Sequence, residues 1–128
     1  MIKYSLLEPT GLEESLELLE SFSGNIKPIA GGTDLLIDFR YGKIPPDYLL
    51  DLGKVPELNS LYINGGIKIG PTASLTCISQ SQKIREHYLM LAEGAGCMGS
   101  YQIRNLATIG GNICNAVPSA DAAPPLLA

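Results

Sequence analysis

The segment Ile26–Asp34 (IKPIAGGTD) decides how the first half of the chain folds. Its first five residues have the pattern of a short strand, and they lead without a spacer into the glycine pair Gly31–Gly32. Thr33 or Asp34 can then cap a helix whose apolar side chains include Phe39. The segment therefore predicts a strand, a glycine loop and a helix in immediate succession.

A second segment, Ala107–Asn112 (ATIGGN), repeats this local pattern: apolar residues, a glycine pair and a side chain that can form hydrogen bonds. Glycine lets backbone N–H groups approach an anion without a Cβ in the way, and it lets φ become positive so that they can be aimed. Thr33 and Asn112 can add side-chain donors, and a helix that starts at Thr33 adds its dipole. The two segments together indicate a pyrophosphate site. The alternative is that each pair is only a tight turn or bulge between elements.

The remainder of the chain alternates between strand and helix patterns. A hairpin is predicted from its Asn64-Gly65-Gly66 turn and its flanking alternation of apolar residues. Thr10 and Glu13 have the spacing of a capping box at the start of a helix that runs to Ser21. The other expected elements are strands at 3–7 and 48–52, a mostly exposed helix at 76–86 and a small-residue helix at 89–98. This mixture places the chain in the α+β class.

Composition excludes several classes of protein. Of the 128 residues, 45% are hydrophobic and 17% charged, which is enough apolar material for a core. The net charge of -4 and the lack of a basic face argue against a nucleic-acid partner. Apolar runs such as Leu89–Ala92 are too short to cross a bilayer, and no secretion signal is evident at the start. We therefore expect a cytoplasmic protein.

The reactive side chains do not form a recognisable catalytic or metal-binding set. Cys77, Cys97 and Cys114 contain no CxxC pair, so neither zinc nor an iron–sulfur cluster is indicated, and each is expected to be a small buried hydrophobe. The single histidine, His87, has no obvious partner for a catalytic dyad and is expected at the surface. We predict no catalytic residue and no metal ligand in this chain.

Two charged residues have two open interpretations each. Arg104 can meet a phosphate or a carboxylate at a subunit contact, or it can form a structural ion pair. Asp121 can accept hydrogen bonds from a ribityl or ribose hydroxyl, or it can cap a helix that begins near Pro124–Pro125. The sequence alone does not decide between these roles.

The segments Ala30–Leu36 (AGGTDLL) and Ile103–Ile113 (IRNLATIGGNI) together resemble the FAD-binding medium subunit of molybdenum hydroxylases. These are enzymes of the xanthine dehydrogenase, carbon monoxide dehydrogenase and aldehyde oxidoreductase type. Leu50–Leu58, Ile67–Thr72 and Asn115–Ala128 fit the same pattern in one collinear order. The resemblance thus covers essentially the whole chain.

The resemblance implies an α+β, two-lobed FAD-binding domain of the vanillyl-alcohol-oxidase or PCMH type. Residues 1–55 would form the first lobe and residues 56–128 part of a second lobe, which is incomplete because family members continue further. FAD would lie between the lobes, with the first loop around its pyrophosphate, the second loop closing on it and an aspartate binding its flavin side. The implied contacts are Pro28, Ile29, Ala30, Gly31, Gly32, Thr33, Asp34, Leu35, Thr108, Ile109, Gly110, Gly111, Asn112 and Asp121.

The resemblance also implies a place in an electron-transfer chain. Electrons would leave the substrate at a molybdopterin centre on a large subunit, pass two [2Fe-2S] clusters on a small subunit, reach FAD here and leave to NAD or another acceptor. The competing interpretation is a non-catalytic assembly module of the same fold that holds no flavin. A helix after Pro124–Pro125 would have too few residues to form. We therefore expect the chain alone to self-associate or to need a polypeptide that carries the missing part.

Overall fold

The computed structural model describes residues 3–117 and 120–128. In chain order the elements are β1 (Ser5–Leu7), α1 (Leu12–Ser21), β2 (Ile26–Ile29), α2 (Leu35–Arg40), β3 (Tyr48–Asp51), β4 (Leu61–Ile63), β5 (Ile67–Ile69), α3 (Leu75–Gln80), α4 (Gln82–His87), α5 (Leu89–Cys97), α6 (Tyr101–Leu106), α7 (Ile109–Asn115) and α8 (Ala123–Leu127), with a 3₁₀ turn at Pro56–Leu58.

The first half of the chain forms a βαβαβ unit with a three-stranded parallel sheet. The strand order is β1-β3-β2, and Tyr48 of the central strand pairs with both Ser5 and Ile26. Leu49 and Leu50 are buried on opposite faces of that central strand, as expected where helices cover both sides. Parallel strands need crossover connections, and α1 and α2 supply them. The glycine loop therefore follows the carboxyl end of β2.

The start of α1 differs from the predicted capping box. The backbone N–H and hydroxyl of Thr10 donate to Glu14, at 2.8 and 3.2 Å, so Glu14 and not Glu13 is the acidic partner. Gly11 occupies the N-cap position and provides no side-chain bond. The predicted box was wrong by one residue because the helix begins one residue later than the hydroxyl suggested.

The second half of the chain builds a separate helical core against the predicted hairpin. The hairpin is confirmed, with Leu61 opposite Ile69 and a turn in which Gly65 has φ +66°. The stretch predicted as one helix at 76–86 is two helices, because Ser81 adopts an extended conformation and caps α4 through the N–H of Ile84. The buried core consists of Ala73, Leu75, Ile78, Ile84, Leu91, Ala92, Ala95, Met98, Ile109 and Ala122.

The small-residue helix predicted at 89–98 is confirmed as α5, and it lies close to α8. A Cβ at Gly94 would lie 2.9 Å from Pro125, so α8 approaches α5 closely at this position. This contact explains why α8 forms despite its five residues, contrary to expectation. Packing can stabilise a helix that is too short to be stable alone.

The three cysteines are exposed, and the expectation that they are buried is wrong. Cys77, Cys97 and Cys114 are all free and exposed, because each lies on a solvent-facing side of a short helix. His87 is exposed, as predicted. Among the described residues, no helix is long and apolar enough to cross a membrane. The division into lobes at residue 55 stays a prediction.

Candidate cofactor-binding site

An open cleft separates the glycine loop after β2 from the start of α7. Its volume is about 220 Å³, below the ~300–1,000 Å³ of pockets that enclose a drug-sized ligand. Residues 28–35, the whole predicted first loop, line one side, and Thr108, Gly111 and Asn112 line the other. The remaining lining residues are Lys27, Asp38, Ala107, Cys114 and Asn115.

The first glycine loop offers unused hydrogen-bond donors to this cleft. Gly32 has φ +67°, a conformation that glycine adopts without strain. The carbonyl of Gly32 accepts from the N–H of Leu36, which starts α2. The N–H groups of residues 31–34 donate to no acceptor within residues 3–117 and 120–128. Successive free N–H groups in such a turn form a concave anion site.

The second glycine pair is not a loop. Gly110 and Gly111 lie in the first turn of α7, and neither has a positive φ. The N–H of Gly110 donates to Pro71 O at 2.9 Å, and the N–H of Gly111 donates to Thr108 Oγ1 at 3.1 Å. The N–H of Ile109 is likewise taken by a main-chain carbonyl. The expectation that both pairs aim free N–H groups with positive φ is therefore wrong for the second pair.

Close backbone contact explains two of these glycines. A Cβ on Gly31 would lie 2.1 Å from the carbonyl oxygen of Leu106, and a Cβ on Gly110 would lie 2.5 Å from Pro71 Cβ. Real Cβ atoms do not approach so closely, so only glycine fits at either position. Gly31 joins the first loop to the segment that precedes α7, and Gly110 joins α7 to the turn after the hairpin.

The side chain of Asn112 is engaged within the protein. Its Nδ2 donates to Met98 Sδ, and its Oδ1 accepts from the N–H of Ala122, both at 3.4 Å. These two hydrogen bonds of Asn112 connect α7 to the end of α5 and to the start of α8. Its predicted contact with a cofactor stays a prediction.

The structure adds five lining residues that sequence reasoning missed. The most informative is Asn115, whose Nδ2 donates to Asp34 Oδ2 at 3.1 Å across the cleft. Asn115 lies four residues after Gly111 and so faces the same side of α7, but this spacing becomes informative only once the segment is known to be a helix and not the expected loop. Lys27 is the cation among the lining residues, while Asp38 forms a 2.6 Å salt bridge to Lys43.

Three predicted site residues lie elsewhere in the structure. Ile109 is buried in the helical core, and Gly110 packs on Pro71. Asp121 is exposed and is not among the residues that line the cleft. Its alternative role as a helix cap is wrong, since Ala122 holds the N-cap position of α8 without a side-chain bond. The predicted contact between Asp121 and the flavin side of a cofactor stays a prediction.

Arg104 forms no ion pair within the described residues, so its expected role as a structural ion pair is wrong there, and its contact with a phosphate or with a carboxylate at a subunit contact stays a prediction. Its Nη1 donates to the carbonyl oxygens of Met98 and Gly99, at 3.1 and 2.8 Å. Its guanidinium also lies 6.0 Å from the centre of the Tyr101 ring. Arg104 therefore satisfies carbonyl groups at the end of α5, where a cation is favourable.

Fold and cleft together define an α+β domain that presents a glycine loop with free N–H donors. The chain matches the family "FAD binding domain in molybdopterin dehydrogenase" over residues 2–128, and it belongs to that family. This confirms the resemblance drawn from the two glycine segments.

Curated relatives include FAD subunits of several dehydrogenases. The chain is 36% identical over 124 residues to the nicotinate dehydrogenase FAD-subunit of Eubacterium barkeri, covering 94% of this chain and 42% of the relative. It is 33% identical over 118 residues to the xanthine dehydrogenase FAD-binding subunit of Escherichia coli O157:H7, covering 91% of this chain and 40% of the relative. The chain therefore spans about two fifths of the length of these relatives.

Solved structures confirm the fold class. Carbon monoxide dehydrogenase from Hydrogenophaga pseudoflava superposes with a TM-score of 0.87 and 28% identity, over 91% of this chain and 41% of that chain. Carbon monoxide dehydrogenase from Oligotropha carboxidovorans gives a TM-score of 0.89 and 25% identity, over 95% and 44%. The chain thus has the α+β fold of an FAD-binding domain.

Proposed function

We propose that this chain binds FAD and forms the flavin-binding, electron-transfer part of a molybdopterin-dependent hydroxylase or dehydrogenase. One observation carries the proposal: the N–H groups of Gly31, Gly32, Thr33 and Asp34 have no acceptor within the described residues, and these four residues line the cleft. A pyrophosphate offers the acceptor oxygens that such donors lack. The residues present therefore fit the cofactor that the family description names.

The first loop would supply the main hydrogen bonds to the pyrophosphate. Each bond from an N–H group to a charged oxygen contributes about 1.5–3 kcal/mol net, so a few suffice for firm binding. Lys27 would add a positive charge, and the Thr33 hydroxyl a further donor. Thr108 lies across the cleft and caps α7 through the N–H of Gly111, so it would fix the opposite wall. The other predicted contacts in 28–35 and 108–112, and Asp121, remain part of this proposal.

FAD would supply the redox chemistry when bound, accepting electrons from [2Fe-2S] clusters and passing them to NAD or another acceptor. The chain's own residues would bind and orient the cofactor, and none of them is proposed as catalytic. We propose a small iron–sulfur subunit and a large molybdopterin subunit as partners. Support comes from relatives described as FAD subunits or medium chains.

The small cleft suggests that other residues complete the site. The curated relatives extend well past the matched length, and the cleft of about 220 Å³ accommodates only part of a dinucleotide. We propose that a further polypeptide segment, in the same or a partner chain, surrounds the isoalloxazine end.

Cys114 offers a direct test, because this exposed thiol lines the cleft. In a Cys77→Ser/Cys97→Ser background, a coloured disulfide reagent reports only on Cys114. FAD and ADP, which contain a pyrophosphate, should slow its modification, and riboflavin, which does not, should leave it unchanged. A matched variant that retains only Cys97, which lies outside the cleft, should show no protection by any of the three.

A flavin-free assembly module is the alternative, and one observation favours it. Gly31 and Gly110 are required by backbone contacts within the protein, so these two glycines need no cofactor to explain them. Absence of saturable FAD binding, by flavin fluorescence and by thiol protection, would establish this alternative. Saturable binding of both FAD and ADP would exclude it.

A further inference from the structure

Asp34 lies where a pyrophosphate is proposed to bind, yet its chemistry does not suit that ligand. An ionised carboxylate accepts hydrogen bonds and donates none, and phosphate oxygens also only accept. Two negative groups in contact would in addition repel each other. The side chain of Asp34 therefore needs a partner other than the pyrophosphate.

The structure shows such a partner on the opposite wall of the cleft. Asp34 occupies the N-cap position of α2 but makes no capping bond with its side chain. Its Oδ2 instead accepts from Asn115 Nδ2 at 3.1 Å, a bond between residues 81 positions apart. An Asp at an N-cap usually bonds to its own helix, so this carboxylate is diverted towards α7.

The bond to Asn115 fixes one end of the glycine loop. The other end is fixed at Gly31, whose backbone lies against the carbonyl of Leu106. Between these two attachments lie Gly32 and Thr33, which line the cleft and whose N–H groups have no acceptor within the described residues. Both attachments join the loop to the segment that contains α6 and α7.

We propose that Asp34 and Asn115 form a clasp across the cleft, and that Asp34 is a positioning residue rather than a ligand. The clasp sets the separation of the glycine loop from α7 and so orients the donors between them. This inference rests on the proposed function. It assigns Asp34 differently from the family resemblance, which counts it among the cofactor contacts.

Asp38 provides a matched control. It is the second carboxylate among the lining residues, but its partner, Lys43, lies on the same loop–helix segment and not across the cleft. Asp34→Ala and Asp38→Ala each remove one negative charge from the cleft. Only Asp34→Ala also removes the bond to Asn115.

The first experiment measures FAD affinity by fluorescence quenching. Asp34→Ala and Asn115→Ala should each weaken binding by about three- to tenfold, the equivalent of one lost hydrogen bond. Asp34→Asn keeps an acceptor for Asn115 and removes the like charge, so it should bind FAD within about twofold of the parent or more tightly. Asp38→Ala should not weaken binding.

Reciprocal exchange separates the clasp from a merely structural role. Asn115→Asp places two carboxylates face to face and should weaken FAD binding by more than about tenfold. The double variant Asp34→Asn/Asn115→Asp restores one donor and one acceptor with their positions reversed, and it should recover most of the lost affinity. The inference is overturned if Asp34→Asn is as harmful as Asp34→Ala, or if the exchange gives no rescue.

A second measurement needs no flavin and so distinguishes failure of this inference from failure of the proposed function. The rate at which Cys114 reacts in the cofactor-free protein reports on the opening of the cleft. Asp34→Ala and Asn115→Ala should raise that rate by about threefold or more, as local opening becomes easier, and Asp38→Ala should not. Unchanged rates in both clasp variants would overturn the clasp even if FAD binds.

Discussion

The two glycine pairs of this protein look alike in sequence and behave differently in the structure. Gly31–Gly32 lies in a loop whose N–H groups have no acceptor within the described residues. Gly110–Gly111 lies in the first turn of a helix, where both N–H groups already have protein acceptors. The first pair can therefore bind an anion through its backbone, while the second pair supports the wall opposite.

The difference shows that glycine is required at these positions for different physical reasons. Gly31 and Gly110 are required because another backbone passes within contact distance, and Gly32 because its φ is +67°. A Cβ on Gly111 would meet only the Thr108 hydroxyl, at 2.9 Å. The four glycines are therefore expected to respond differently to the same substitution.

The largest effect is expected at Gly31. In Gly31→Ala the new Cβ would meet the main-chain carbonyl of Leu106 at 2.1 Å, so one of the two backbones would have to shift. We expect the free energy of unfolding to fall by roughly 3 kcal/mol or more. Urea unfolding measures this, with Gly66→Ala as control, since nothing lies within 4 Å of its Cβ. Equal stability of the two variants would contradict the close approach.

The next effect separates the two members of the second pair. Gly110→Ala would place Cβ 2.5 Å from Pro71 Cβ and 2.7 Å from its carbonyl oxygen. It should destabilise the fold by about 1–3 kcal/mol, as overpacking does. Gly111→Ala displaces only a hydroxyl cap worth ~1 kcal/mol, and the gain in helix propensity offsets it, so the net change should be near zero. Thermal unfolding of both variants measures this difference. A lower stability of Gly111→Ala than of Gly110→Ala would contradict the prediction.

The smallest stability effect among the damaging changes is expected at Gly32. Gly32→Ala retains the loop but forces a side chain into a left-handed conformation, at about 1–2 kcal/mol. Because the loop carries the free donors, FAD affinity should fall by more than in Gly111→Ala. Fluorescence titration of both variants measures this difference. If Gly111→Ala lost as much FAD affinity as Gly32→Ala, the second pair would have to take part in binding directly.

Strands, turns and helices could be predicted from the sequence where neighbouring residues determine them. The hairpin around Asn64-Gly65-Gly66 is confirmed residue for residue, because alternating apolar side chains and a glycine turn leave one register. The helix at Leu89–Cys97 is confirmed to within a residue. The break at Ser81 was missed, since a serine inside a polar stretch is equally compatible with a helix interior and with a cap.

Half of the candidate site was also predictable. Every residue of the predicted loop 28–35 lines the cleft, because strand, glycine pair and helix follow one another along the chain. The partners that close the cleft were not predictable. Asn115 has nothing in its local sequence that indicates a bond to a residue 81 positions away.

The sequence by itself determined the order of the elements in the first half of the chain, the hairpin, the position of the first glycine loop and the family to which the chain belongs. These depend on neighbouring residues, whose preferences act over a few positions. Only the tertiary structure decided which N–H groups are free, why Gly31 and Gly110 must be glycine, and what Asp34 contacts. Each of these depends on a group that folding brings close from a distant part of the chain. Whether a hydrogen bond is satisfied and whether a side chain fits are decided only when those groups are in contact.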